Sequence, residues 1–190
     1  MKANQAASDV GRLAFEMARG YAAHIVAIRM APRLESKALV RLIGDYPSDF
    51  VQRKDGTKWS FDTQDAIVSA VADKAIATEL PRVWLAGSLL AVGDELKDHD
   101  YFGHAALFEL VRHLRNGIAH GNRFNIRYPL KYPAHNRDAF YRSPNNTIFE
   151  ITPALNRQPV LFDFIGAGDV LDLLSSVGAR LEQMGRGEAA

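Results

Sequence analysis

Apolar residues recur at helical spacing along most of the chain. In residues 8–30, Leu13, Met17, Ala18, Tyr21, Ile25 and Ile28 fall at intervals of mostly three and four, which predicts a helix. Ser8 or Asp9 can cap its start, and Pro32 ends it. A shorter helix is expected over about 33–44, stopping near Gly44, Tyr46 and Pro47. "QRKDGTKWSF" breaks the pattern, and its Asp55-Gly56 pair suits the turn of a small hairpin. Asp62 or Thr63 caps a third helix to about Leu80, and Pro81 suits the first turn of a fourth that runs to about Lys97. Asp100 can cap a fifth over 101–120, which Gly121 stops.

Beyond Gly121 the pattern changes. "RFNIRYPLKYPAHNRDAFYRSPNN" holds three prolines and few aliphatic residues, so it reads mostly as loop. "TIFEIT" and "PVLFDFI" are β-prone and, joined by "PALNRQ", predict a hairpin. A closing helix, "GDVLDLLSSVGARLEQM", puts Val170, Leu173, Leu174, Val177 and Leu181 on one face. Strands and helices do not alternate, so the expected class is mainly α rather than α/β. The expectation is a bundle of five or six helices with a loop and small β-hairpin before the last. The 190 residues suit a single domain, 1–190, with 123–165 as the excursion.

Composition changes this picture little. Hydrophobic residues make up 47% and charged residues 24%, ordinary values for a globular protein, and the net charge is only +1. There is no Cys, which excludes disulfides, thiolate metal sites and Cys nucleophiles. The start, "MKANQAASDVGRLAF", has no apolar signal region, and no run approaches a spanning length. A cytoplasmic protein without a membrane partner is the expectation. Phosphate-cradling Gly loops, Walker patterns and GxSxG are all missing.

One local concentration stands out. Residues 112–142 carry Arg112, Arg115, Arg123, Arg127, Lys131, Arg137 and Arg142 against Asp138 alone. Phe124, Tyr128, Tyr132, Phe140 and Tyr141 are interleaved with these charges. Basic groups beside aromatics suit single-stranded RNA, through phosphate contacts and base stacking. The plainer alternative is a solvated loop whose aromatics fold back on the bundle.

The basic stretch overlaps "HLRNGIAHG", residues 113–121, at the end of the fifth helix. Leu107, Leu110, Val111, Leu114 and Ile118 form its apolar stripe. Asn116 and His120 share a polar row, with His113 nearby. Arg115 lies about 140° from His120 on an ideal helix. The two meet only if the last turn unwinds, if Arg115 reaches around, or if a second copy supplies the partner. The set has clear chemistry. Arg offers a rigid fork to phosphate oxygens, imidazole moves a proton near neutral pH, and Asn can orient either. In RNA the ribose 2′-hydroxyl is the nucleophile, so proton transfer and charge stabilisation suffice for transesterification. The plain alternative is a basic helix C-terminus closed by Gly.

"LRNGIAHG" resembles the signature of the HEPN superfamily: Arg, a polar residue, and His after a short spacer. Arg115, Asn116 and His120 match it in order, type and spacing, and Gly117, Ala119 and Gly121 are similar to the small residues that flank it. The resemblance covers residues 8–125 and the closing helix and leaves 126–165 outside. It implies an all-α fold and, for many members, a metal-independent endoribonuclease acting as a toxin or anti-phage effector. Such members commonly dimerise, so that two motifs form one cleft. On this basis Arg115, Asn116 and His120 are the expected catalytic set. Arg112, His113, Arg123 and Arg127 are the expected RNA-binding residues. Expected partners are RNA, a second copy of the chain and an antitoxin protein, with no cofactor. Other members are non-catalytic RNA- or protein-binding modules, and that alternative stays open, as does a plain helical oligomerisation module. In one toxin subgroup a Tyr two residues after the His is modified by the antitoxin; here that position is Asn122, which argues against that subgroup.

The remaining polar residues suggest less. Asp98, His99, Asp100 and His104 are close in sequence, and Asp100 and His104 could share a helix face and hold a metal. Asp100 as a cap is the simpler assignment, and no metal is expected. His24 reads as a core or interface histidine, and Trp59 and Trp84 as packing residues.

Overall fold

The computed structural model describes residues 4–30, 40–41, 44–45, 47–126 and 139–188. It is mainly helical, with 62% helix and two small antiparallel hairpins. The elements are α1 (Gln5–Met30), β1 (Ser48–Gln52), β2 (Lys58–Asp62), α2 (Thr63–Ala72), α3 (Lys74–Asp98), α4 (Ala106–Ala119), β3 (Phe140–Arg142), β4 (Ile148–Glu150) and α5 (Ala167–Gly185). The chain divides into two compact units, Met1–Gly20 with Val83–Ala190, and Tyr21–Arg82. The short helix expected over 33–44 lies almost wholly outside the described residues. Among the described residues no helix is long and apolar enough to cross a membrane.

The larger unit holds every fully buried side chain among the described residues. α3 contributes Leu85, Leu89, Val92 and Leu96, and α4 contributes Phe108, Leu110, Val111 and Leu114. On α5 the predicted stripe is fully buried, from Val170 to Leu181. Each such side chain stabilises the fold by about 1.5–3 kcal/mol through lost apolar exposure. Where α1 meets α5 the contact is made by small residues. Ala7, Gly11 and Ala14 are buried on α1, whereas Leu13 and Met17 of the predicted stripe are only half-buried. A Cβ at Gly178 would come within 2.9 Å of the Phe15 ring and 3.0 Å of the Gly11 carbonyl oxygen.

The excursion is part of this core. Phe124, Ile126, Tyr141, Phe149, Val160 and Ile165 are all buried. Its hairpin differs from the predicted one. β4 pairs with β3, Phe140 opposite Glu150 and Arg142 opposite Ile148, through a turn at Ser143-Pro144-Asn145-Asn146. Asn146 takes the left-handed conformation there, and Ser143 and Thr147 close the turn with a 2.9 Å bond. "PALNRQ" instead contains a short 3-10 turn over Pro153–Leu155, and residues 159–165 form only isolated bridges, Arg123 with Pro159 and Leu161 with Ile165.

In the smaller unit, β1 and β2 pair with Ser48 opposite Asp62, and Gly56 at φ 85° makes the predicted turn. The Asp62 side chain caps α2 by accepting the Asp65 N–H at 2.8 Å. No described residue in this unit is buried, and Trp59, expected to pack, is 55% exposed. Trp84, in the larger unit, packs over Gly20 and donates to the Met17 carbonyl at 3.1 Å.

Two predicted helix starts move. The break falls at Asp73, whose backbone is extended and whose N–H closes on Ser69, and α3 runs through Pro81. Asp100 does not cap the next helix. It adopts φ 56° and terminates α3, with the Asp100 N–H on the Lys97 carbonyl and the Tyr101 N–H on that of Leu96. α4 therefore starts only at Ala106, so Asp100 and His104 share no helix face. Among the described residues no group of three or more His, Asp or Glu is placed to hold a metal.

Two expected outcomes test this packing. Gly178→Val should cost about 1–3 kcal/mol through overpacking, read as a lower urea midpoint at unchanged slope. Burial holds the Tyr141 phenol above its ordinary value, partly offset by its 3.0 Å bond with Ser176. The unfolded phenol ionises near pH 10 while the folded one does not, so stability should fall as pH rises from about 10 through the folded value. Tyr141→Phe should remove that alkaline loss in denaturation curves taken across pH 9–12, and equal alkaline slopes would contradict it.

Candidate active site at the end of α4

The last turn of α4 carries the motif, and its geometry follows from three small residues. Gly117 is buried, and a Cβ there would meet Val160 at 2.5 Å and the Arg123 carbonyl oxygen at 3.2 Å. The chain after the helix can therefore fold back directly on it. Gly121 and Asn122 follow with φ 84° and 59° and reverse the chain, so that the Arg123 N–H bonds the Gly117 carbonyl at 3.0 Å. His120 is the C-cap, already non-helical at φ −108° and ψ 39°, and it is exposed. The last turn is otherwise intact, since the His120 N–H still bonds the Asn116 carbonyl at 3.2 Å, so the helix ends here rather than unwinding.

This ending does not place Arg115 among the residues that line the His120 cavity. The Arg115 stem lies across Gly93 of α3, where a Cβ would come within 2.7 Å of its Cγ. Its Nε and Nη2 donate to Asp94 Oδ1 at 2.8 and 2.5 Å, and its Nη1 donates to Asn116 Oδ1 at 3.2 Å. Asp94 is half-exposed, so the pair fixes orientation more than it stabilises the fold. A guanidinium has five N–H donors, and these three bonds leave two for a ligand.

His120 lines a separate cavity of about 510 Å³ with Arg123, Phe124, Asn125, Ile126, Asn156 and Arg157. Phe124 and Ile126 are its buried apolar wall. Among the described residues no carboxylate lines it, whereas two Arg and a His do, a donor set that favours an anion. Hydrogen bonds fasten its two walls together. The Phe124 N–H bonds the Gln158 carbonyl at 3.0 Å, the Arg157 N–H bonds that of Phe124 at 2.8 Å, and Asn156 Oδ1 accepts the Ile126 N–H at 3.0 Å. Asn122 adds a clip, accepting the Leu161 N–H at 2.8 Å and donating to the Leu161 carbonyl at 3.4 Å.

No family model, curated protein or solved structure matches the chain. The chemistry of the site therefore rests on these residues alone.

The other predicted binding residues divide. Arg123 is exposed, lines the cavity and donates to the Arg157 carbonyl at 2.8 Å. Arg112 is committed by its Nε to Glu109 at 2.7 Å, where the carboxylate is 4% exposed, so it neutralises a buried charge. His113 is half-buried and partnered. Arg127 lies outside the described residues, as do Tyr128 and Tyr132. Phe124 and Tyr141 are buried, so for these two the alternative of aromatics folded back on the core holds rather than stacking platforms. Sequence reasoning missed Asp94, Asn156 and Arg157. Asp94 had a faint signal, a carboxylate next to Gly on a helix whose apolar face packs. Arg157 had none, because its neighbours at 123–126 are some thirty positions away.

Asn122→Ala should lower stability by about 2–3 kcal/mol, from two lost hydrogen bonds and a left-handed backbone that Ala resists. Thermal unfolding checks this, and an unchanged midpoint would show that the clip is dispensable.

Proposed function

We propose that the chain is a metal-independent endoribonuclease of HEPN type that cleaves single-stranded RNA as a homodimer, in a cytoplasmic toxin or anti-phage role checked by a cognate antitoxin. The observation that carries this is His120, exposed at the C-cap of α4 in a basic cavity that no carboxylate lines among the described residues, five positions beyond an Arg115 aimed by Asp94.

His120 takes the proton of the ribose 2′-hydroxyl. The 2′-oxygen attacks phosphorus, and the bond to the 5′-oxygen breaks. That oxygen leaves with a proton from the equivalent imidazole of the second copy. The products are a 2′,3′-cyclic phosphate and a 5′-hydroxyl. Arg115 binds the charge that develops on the phosphorane with its two remaining donors, and Asn116 holds the guanidinium from the other side. Dimerisation answers the separation of Arg115 from the His120 cavity, since a second copy can bring its own guanidinium to that imidazole.

That separation also supports a second hypothesis, a non-catalytic RNA-binding module in which Asp94 keeps Arg115 in a structural role.

The two differ in turnover. With chelator present, the wild-type protein should cleave single-stranded RNA. His120→Ala should slow it about 10²–10⁴-fold and Arg115→Ala about 10²–10³-fold, measured on end-labelled substrate. Equal rates in the variants would remove this site, and binding without any cleavage would favour the module.

A further inference from the structure

The turn at Leu155-Asn156-Arg157-Gln158 holds a residue that its backbone does not favour. Asn156 has φ −56° and ψ 127°, Arg157 has φ 67°, and the Gln158 N–H bonds the Leu155 carbonyl at 2.9 Å. This is a type II turn, whose third position asks for Gly or Asn. Arg there costs about 1 kcal/mol or more. The backbone of Arg157 is bonded to Phe124 and to the Arg123 side chain, whereas its guanidinium has no partner among the described residues. The turn thus presents Arg157 beside Arg123 in the cavity that holds His120.

We infer that Arg157, with Arg123, binds an RNA phosphate flanking the one at His120, and that the strained turn exists to present it. The inference rests on the preceding proposal only for RNA as the ligand. Such a contact adds affinity along the strand and no proton transfer, so Arg157 is a binding residue. Neither guanidinium has a carboxylate partner among the described residues, so the two repel each other, and a phosphate between them relieves that repulsion while forming charge-assisted bonds.

The turn supplies an unusually clean test, because Arg157→Gly suits the backbone better than the native residue. The variant should unfold at the same temperature as the wild type or a higher one. Its affinity for a fluorescent single-stranded 2′-O-methyl RNA, which cannot be cleaved, should fall about tenfold. The slope of log affinity against log salt should drop by about one. Arg12→Gln is the control for net charge. Arg12 pairs with Asp9 and Glu16 on α1 and does not line the cavity, so affinity should change less than about twofold. Affinity and salt slope equal to wild type in Arg157→Gly would overturn the inference, as would an equal loss in Arg12→Gln. Cleavage is read separately on unmodified RNA. A wild-type protein that binds but never cleaves refutes the nuclease proposal and leaves Arg157 as the binding residue.

Discussion

The contact of Gly117 with the returning chain is the constraint on which the site depends. α4 could present its C-terminus to solvent like any other helix. With no side chain at Gly117, the backbone at Arg123 and the methyl of Val160 press directly on its last buried turn. The carbonyl of Gly117 is then satisfied by the Arg123 N–H rather than by water. This single approach fixes where the chain turns, and hence that His120 sits exposed at the helix end while Gly117 and Phe124 on either side stay buried. It also sets the distance between residues 123–126 and 156–158, whose facing backbones form the cavity wall.

A second device positions Arg115. Gly93 admits the stem and Asp94 receives the fork, so adjacent residues of α3 determine both the place and the angle of the guanidinium. An ion pair this exposed adds at most about 1 kcal/mol. Its value is rotational. A free Arg samples many rotamers, and holding three of its five donors leaves the other two with a defined direction. The contrast with Arg112 is instructive. Three positions earlier on the same helix, a similar pairing with Glu109 is buried, and that cation serves the core's charge balance.

The parts of the fold legible in the sequence were those encoded locally. The α5 stripe, the Asp55-Gly56 hairpin and the Gly121 stop each depend on residues a few positions apart. The failures share a different cause. Asp100 looks like a helix cap, but the left-handed conformation it also tolerates lets it end α3 instead. Pro81 looks like a first-turn residue, but the helix absorbs it and breaks at Asp73. The β-prone run at 148–151 had two possible partners, and the tighter Ser143–Thr147 turn selected the nearer one. In the site, the motif itself was visible, whereas Asp94 and Arg157 come from elements distant in sequence, so no spacing rule could join them to it.

Two of the left-handed non-glycine residues lie in the segments that build the cavity. Asn122 and Arg157 have φ 59° and 67°, and each costs on the order of 1 kcal/mol. Asn tolerates that conformation and uses it to clip Leu161, so Asn122 is explained by its own hydrogen bonds. For Arg157 no such bond made by the side chain compensates, and a glycine would stabilise the turn. The buried ring of Phe124, which lines the cavity, meets the half-buried ring of Phe164 edge to face at 5.1 Å, a contact that helps fix this wall. A fold that tolerates an unfavourable residue where an easy replacement exists implies a use for its side chain, and among the described residues the ionisable groups that share its cavity are His120 and Arg123.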